Sequence, residues 1–170
     1  GNKPFLAVIW FGSPHSPHVA TKKYLEMYAK QTKAQANFCG EITGMDAAMG
    51  KLRKGLRKLE IAENTLLWYC SDNGALKQGF TAGLSGRKGS LLEGGIRVPA
   101  IIEWPAKIKK PRRTSMPCNT SDILPTLLEI AGVTLDKPPP LDGISIVPLL
   151  NGKMKSREKP MGFWVFPERG

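Results

Sequence analysis

The sequence predicts an α/β fold, a sheet sandwiched by helices, from three observations. Two short apolar runs, Phe5–Phe11 and Thr65–Cys70, have the β-branched and aromatic make-up of strands buried on both faces. Between them, apolar residues recur at Phe38, Ile42, Met45, Met49, Leu52, Leu56 and Leu59. These 4-3-4-3-4-3 steps are the period of an amphipathic helix. A third run, Ile96–Glu103, and a second apolar helix near Ile123–Ala131 continue the alternation.

The elements follow in order. Phe5–Phe11 stops at Gly12-Ser13-Pro14, and His15-Ser16-Pro17-His18 makes a polar tip beyond it. Asn37 is the expected N-cap of the long helix, whose Lys51, Arg53, Lys54, Arg57 and Lys58 should face away from the core. Gly50 and Gly55 weaken that helix. Thr65–Cys70 ends at Ser71-Asp72-Asn73-Gly74, and residues 75–95 read as a long Gly-rich loop. In Ile96–Glu103, Pro99 argues for an edge strand or a bulge. Lys107, Lys109, Lys110, Arg112 and Arg113 form a basic loop. Ser121 should cap the second helix, with Pro125 tolerated in its first turn and Gly132 as its stop. Residues 1–136 are expected to hold the α/β core and residues 137–170 a coil-rich tail. The two strands with polar tips are expected to be parallel neighbours.

Composition narrows the classes. With 170 residues, 41% hydrophobic, the chain suits one domain and is neither disordered nor fibrous. No apolar run approaches the ~20 residues of a membrane span. Gly1-Asn2-Lys3-Pro4 leads straight into the first run without a signal peptide or initiator Met. The expected N-terminus is therefore processed, or cut from something longer. A net charge of +11 favours anionic partners. Three dispersed cysteines, Cys39, Cys70 and Cys118, form neither a disulfide framework nor a CxxC site; Cys39 and Cys70 read as buried free thiols.

Ligands of open α/β sheets bind beyond the carboxyl ends of strands. Asp72 and Asn73 offer hard oxygens there, of the kind Ca²⁺ or Mg²⁺ takes, although Asp-Asn-Gly also makes a plain Asx turn. Gly86-Arg87-Lys88-Gly89-Ser90 sets two cations between glycines, where backbone could approach an anion or simply form a solvated loop. His15 could serve as acid or ligand, and His18 as a surface residue. The GxSxG, GxxxxGK[ST], HExxH and GxGxxG patterns do not occur.

The order of the pieces is more specific than any one of them. Pro-His-Ser-Pro after a strand, Met45-Asp46 and Gly50 in a helix, Ser-Asp-Asn-Gly, Gly86–Pro99, Ser-Asp-Ile-Leu-Pro-Thr-Leu and Asp142-Gly-Ile-Ser occur in sequence. From Lys3 to Lys159 this resembles the type I sulfatases, the arylsulfatase branch of the alkaline phosphatase superfamily. The resemblance implies an alkaline phosphatase-like sheet and hydrolysis of sulfate esters at a divalent cation, normally Ca²⁺. It implies that Asp72 and Asn73 ligate the metal, that Lys88 contacts the sulfate, and that His15 binds sulfate and protonates the leaving oxygen. Arg97 matches the pattern with a structural role first. The implied substrate is a sulfated small molecule or glycan, with no nucleic acid and no transmembrane segment, in a periplasmic, secreted or lysosomal-type compartment.

The departures are large. The family nucleophile, a formylglycine, arises in a Cys/Ser-x-Pro/Ala-x-Arg segment, and none occurs here. The early Asp pair of the metal site and the Arg, Lys and His after the nucleophile are missing too. The expectation is an internal piece of a sulfatase catalytic domain, incomplete at both ends and inactive alone, whose partners include other parts of the same polypeptide. Two other readings stand beside it: a phosphodiesterase or phosphatase of the same superfamily, and a non-catalytic basic module that binds polyanions through Lys51–Lys58 and Lys107–Arg113.

Overall fold

The computed structural model describes residues 3–164. It divides into two units, residues 1–60 with 76–80 and residues 61–75 with 81–170.

The first unit is built on one long helix, α2 (Lys33–Lys58), preceded by the short α1 (Lys22–Leu25) and a 3-10 turn at Glu26–Tyr28. Helix α2 begins a turn earlier than the sequence suggests. Thr32 is its N-cap and accepts from the Gln35 N–H at 3.3 Å. Asn37, the expected cap, lies inside the helix because a distant partner engages its side chain. Its Oδ1 accepts from the Ala20 N–H at 3.0 Å, while its Nδ2 donates to the Lys33 carbonyl at 2.8 Å. Val19 N–H donates to Glu41 Oε1 at 2.7 Å, and the Tyr28 and Thr43 hydroxyls are bonded at 2.7 Å. These bonds strap residues 19–28 along the N-terminal half of α2, where Ala36, Phe38 and Gly40 are buried. Along the C-terminal half Lys51, Lys54 and Lys58 are exposed as expected, but the apolar stripe is covered only in part: Leu52 and Leu56 are half-buried, and Ile42 and Leu59 are exposed.

Phe5–Phe11 is not the buried strand its composition suggests. None of these residues enters a ladder, and the side chains are open to solvent, Trp10 at 92% exposure. β-propensity describes a fit to a pleated, half-covered surface. Without a neighbouring strand to take its N–H and C=O groups, the run stays unpaired.

The second unit carries a two-stranded antiparallel sheet of β1 (Leu67–Cys70) and β2 (Ala100–Glu103), in the register Leu67↔Glu103 to Cys70↔Ala100. The expected parallel neighbour of β1 is thus replaced by an antiparallel one. The third strand also starts later than predicted. Glu93–Ile96 forms a helical turn, α3, closed by Arg97 N–H on the Glu93 carbonyl at 2.8 Å, and Pro99, which has no N–H to give a ladder, precedes the pairing.

Helix α4 (Ile123–Ala131) ends at Gly132 in the left-handed region, φ 64°, as its sequence predicts. Its entry is set by Asn119 and Asp122, which cap one another reciprocally around the turn Thr120–Asp122. Ser121, the expected cap, instead donates its hydroxyl to Asn119 Oδ1 at 2.6 Å.

Residues beyond 137 add to the core. Ile144 N–H donates to Asp122 Oδ1 at 2.8 Å, and Ile146 N–H to the Thr126 hydroxyl at 3.0 Å. Ile146 is buried, as is Leu150 in α5 (Val147–Leu150). Arg157 then places its guanidinium fork on Asp122, 2.8 Å to Oδ2 and 2.9 Å to Oδ1. Residues 1–2 and 165–170, the ends of the expected core and tail, lie outside the described residues.

Candidate active site

In the second unit, β1 delivers the chain directly into the turn Ser71–Gly74. The Ser71 hydroxyl donates to the Asn73 carbonyl at 2.9 Å, and Asn73 Nδ2 donates to Asp72 Oδ2. This leaves Asp72 exposed at the tip. The turn is then sewn to the Gly-rich loop by backbone bonds, Gly74 N–H to Gly95 O at 2.8 Å and Lys88 N–H to Ala75 O at 3.2 Å. Gly94 N–H donates back to Ser85 O at 2.7 Å.

The glycines permit this stitching. A Cβ on Gly74 would lie 1.9 Å from the Gly94 carbonyl oxygen, one on Gly94 2.2 Å from that of Gly86, and one on Gly95 2.1 Å from that of Ser90. All these neighbours are backbone, so the two segments pack main chain against main chain. The sequence marks Gly86–Ser90 as a place where backbone could approach an anion, but it does not show that Gly94 and Gly95 pack against the turn. The signal was the doublet Gly94-Gly95 set eight residues after Gly86, a spacing that reflects close approach rather than freedom. The consequence is positional: Lys88 is anchored three residues past Asp72, with its ammonium exposed.

His15 belongs to the first unit. Its N–H closes a turn on the Gly12 carbonyl at 3.0 Å, and the ring Nδ1 lies 2.7 Å from the Ser16 carbonyl. A carbonyl can only accept, so Nδ1 carries the hydrogen and Nε2 is the nitrogen available to gain or give a proton. His18 is a strut rather than a bare surface residue. Its Nε2–H donates to the Pro14 carbonyl at 2.9 Å, and its ring stands edge-on to Phe38 at 5.2 Å between centroids.

Asp72 and Asn73 supply the hard oxygens a cation such as Ca²⁺ takes, but only two of the 6–8 it seeks. Among the described residues, no group of three or more His, Cys, Asp or Glu side chains could hold a metal ion. The donor type fits Ca²⁺; the set is partial. Neither Cys70 nor Cys118 is an activated thiol. Burial pushes the Cys70 thiol up, with the charge of Asp72 adding to the effect, and burial likewise raises Cys118. All three cysteines are free and half-buried. Arg97 pairs with Glu93 one helical turn away, Nη1 to Oε2 at 2.7 Å, with both side chains exposed.

The chain is similar to known proteins along most of its length. A family model described as Sulfatase matches residues 1–133. Human steryl-sulfatase is 31% identical over 161 residues, covering 88% of this chain and 27% of that protein. A sulfatase of Formosa agariphila is 34% identical over 188 residues, covering 98% and 33%. The crystal structure of Ps i-CgsB in complex with k-i-k-neocarrahexaose superposes with a TM-score of 0.78 at 31% identity, over 83% of this chain and 32% of that one. The chain thus spans a third or less of the length of these proteins. Its described residues form part of their alkaline phosphatase-like α/β fold, with a small two-stranded sheet. With the family model matched across residues 1–133 and relatives above 30% identity over most of its length, this chain belongs to the sulfatase family.

Proposed function

We propose that these residues contribute to hydrolysis of a sulfate ester, with Asp72 and Asn73 holding a divalent cation, Lys88 clamping the sulfate and His15 serving the leaving oxygen. The observation that carries this reading is the backbone seam Gly74–Gly95 and Lys88–Ala75, which sets a cation beside a turn of hard oxygen donors without relying on flexible side chains. A bound Ca²⁺ supplies charge to polarise sulfate oxygens. The Lys88 ammonium is a point charge free to turn its donors onto a sulfate oxygen, and it offsets negative charge as the ester bond breaks. His15, with Nδ1–H held by Ser16, presents Nε2; in its protonated form that nitrogen gives its proton to the departing alkoxide.

The nucleophile must come from elsewhere, because the 170 residues contain no Cys/Ser-x-Pro/Ala-x-Arg segment. The same reasoning assigns a partner to the exposed run Phe5–Phe11: further strands of the same polypeptide, which would cover its apolar side chains and pair its backbone. Substrates are sulfated small molecules or glycans.

Calorimetry on the 170-residue chain tests the assignment. Ca²⁺ should bind weakly, and Asp72→Ala should abolish the binding. Inorganic sulfate added with Ca²⁺ should bind about ten- to a hundredfold more weakly in Lys88→Ala, the worth of one hydrogen bond to a charged group. An aryl sulfate should not be turned over. Ca²⁺ binding indifferent to Asp72→Ala and Asn73→Ala would overturn the metal assignment, and robust turnover would overturn the requirement for an outside nucleophile.

A further inference from the structure

The two basic clusters of the sequence have different fates in the structure. In the loop cluster, Lys107 lies over the Trp104 ring at 6.0 Å and Lys109 pairs with Glu63 at 3.2 Å. Arg112 donates to the Leu149 and Leu150 carbonyls at the end of α5. Three of its five cations are therefore engaged in holding the second unit together. On α2, Lys51, Lys54 and Lys58 are exposed, and none has a hydrogen bond or ion pair among the described residues.

Their placement is informative. At 100° per residue the three lysines share the face opposite the Leu52–Leu56 stripe, over roughly 10 Å of helix axis. The helical neighbours that could carry a compensating acid are Ala47, Ala48, Gly50 and Gly55, or further cations at Lys54, Arg57 and Lys58. Lys54 and Lys58 are a like-charge i,i+4 pair, which weakens a helix. The helix dipole favours cations only in the last turn, which includes Lys58 but not Lys51 or Lys54. The fold thus holds a row of ammonium groups that its own contacts do not neutralise, between residues too small to obstruct an extended ligand.

We propose that Lys51, Lys54 and Lys58 form a docking strip for a sulfated polysaccharide. The inference rests on the sulfate-ester reading, which makes a polymer of sulfate esters a substrate class. The row matches a linear array of anions rather than a single one. Among the described residues the row carries no aromatic platform on which nucleic-acid bases could stack, and its one strongly exposed apolar neighbour, Leu59, is a single residue rather than the broad apolar face that enters a lipid surface. Point-charge lysines, rather than arginine forks, suit sulfates at variable spacing along a flexible chain.

The test measures binding of carrageenan chains to the full chain by calorimetry over a series of salt concentrations. The triple variant Lys51→Gln, Lys54→Gln, Lys58→Gln should lose about tenfold or more in affinity and show a shallower salt dependence, since three fewer counterions are released. A control removing the same charge elsewhere, Lys110→Gln, Arg113→Gln, Lys155→Gln, should lose less than about threefold. Desulfated chains should not bind. Equal losses in the two triple variants would overturn the strip, as would single-stranded DNA or anionic vesicles binding as tightly as the sulfated chain. Inorganic sulfate titrated in parallel separates the two claims. Lysine-dependent polymer binding without Lys88-dependent sulfate binding would support the strip and overturn the hydrolytic site, and the reverse pattern would do the opposite.

Discussion

Replacing Arg157 with alanine should cost about 3–5 kcal/mol of stability, the penalty for stranding one partner of a buried ion pair. The Arg157 and Asp122 side chains are 7% and 0% exposed, and the guanidinium meets the carboxylate through two near-parallel bonds. Asp122 also accepts from the Asn119 and Ile144 N–H groups, so one carboxylate ties the entry of α4 to the segment leading into α5 and to Arg157. Remove the arginine and that buried charge keeps two backbone donors but loses its counterion. Arg157→Lys should fall between, because an ammonium keeps the charge without the fork.

The pH dependence has a definite sign. Burial alone would raise the Asp122 carboxyl. The Arg157 hydrogen bond, the Ile144 and Asn119 N–H groups and the Arg157 charge outweigh it and hold the group below the usual carboxylate range. A carboxyl depressed in the folded state adds stability that is complete above its unfolded value, about 3.9, and is lost as pH falls through the folded value. Urea melts across that acid range should therefore show wild type losing more stability than Asp122→Asn. An Arg157→Ala loss below about 1 kcal/mol, the worth of a surface pair, would contradict this account.

Gly74→Ala should be as damaging, at about 3 kcal/mol or more, for a steric reason. The new methyl would sit 1.9 Å from the Gly94 carbonyl oxygen and 2.8 Å from Gly95 Cα. Neither neighbour is a side chain that can rotate away. Relief requires the turn to leave the loop, which breaks the Gly74–Gly95 hydrogen bond and frees the segment that holds Lys88. Stability and sulfate affinity should fall together. Gly50→Ala is the control: a Cβ there meets nothing within 4 Å, and a mid-helix Gly→Ala change with room for the methyl should stabilise by about 0.5–1 kcal/mol. A Gly74→Ala variant that melts like wild type would mean the seam is loose.

What was legible in the sequence was what local pattern determines. The 4-3 spacing from Phe38 to Leu59 located α2 and its lysine face, Gly132 ended α4, and Ser71–Gly74 marked the turn after β1. What failed depended on distant partners. Thr32 and Asn37 are both good caps by type, and only the bond from Ala20 shows why Asn37 is used otherwise. Phe5–Phe11 has the composition of a buried strand, but composition does not supply the neighbours that burial requires. Asp122 and Arg157 meet across 35 positions with no periodicity to announce them. Gly74, Gly94 and Gly95 read as turn and loop glycines and act as contact surfaces, a distinction that exists only once two segments are placed together.

The central proposal is that Asp72, Asn73, Lys88 and His15 each serve hydrolysis of a sulfate ester. Backbone-amide NMR of the full chain, titrated first with Ca²⁺ and then with inorganic sulfate, tests it most directly. The account predicts Ca²⁺ shifts centred on Ser71–Gly74, followed by saturable sulfate shifts at both Arg87–Gly89 and Gly12–His18, with the latter lost in Lys88→Ala. Sulfate shifts at Arg87–Gly89 that leave Gly12–His18 unmoved would contradict it.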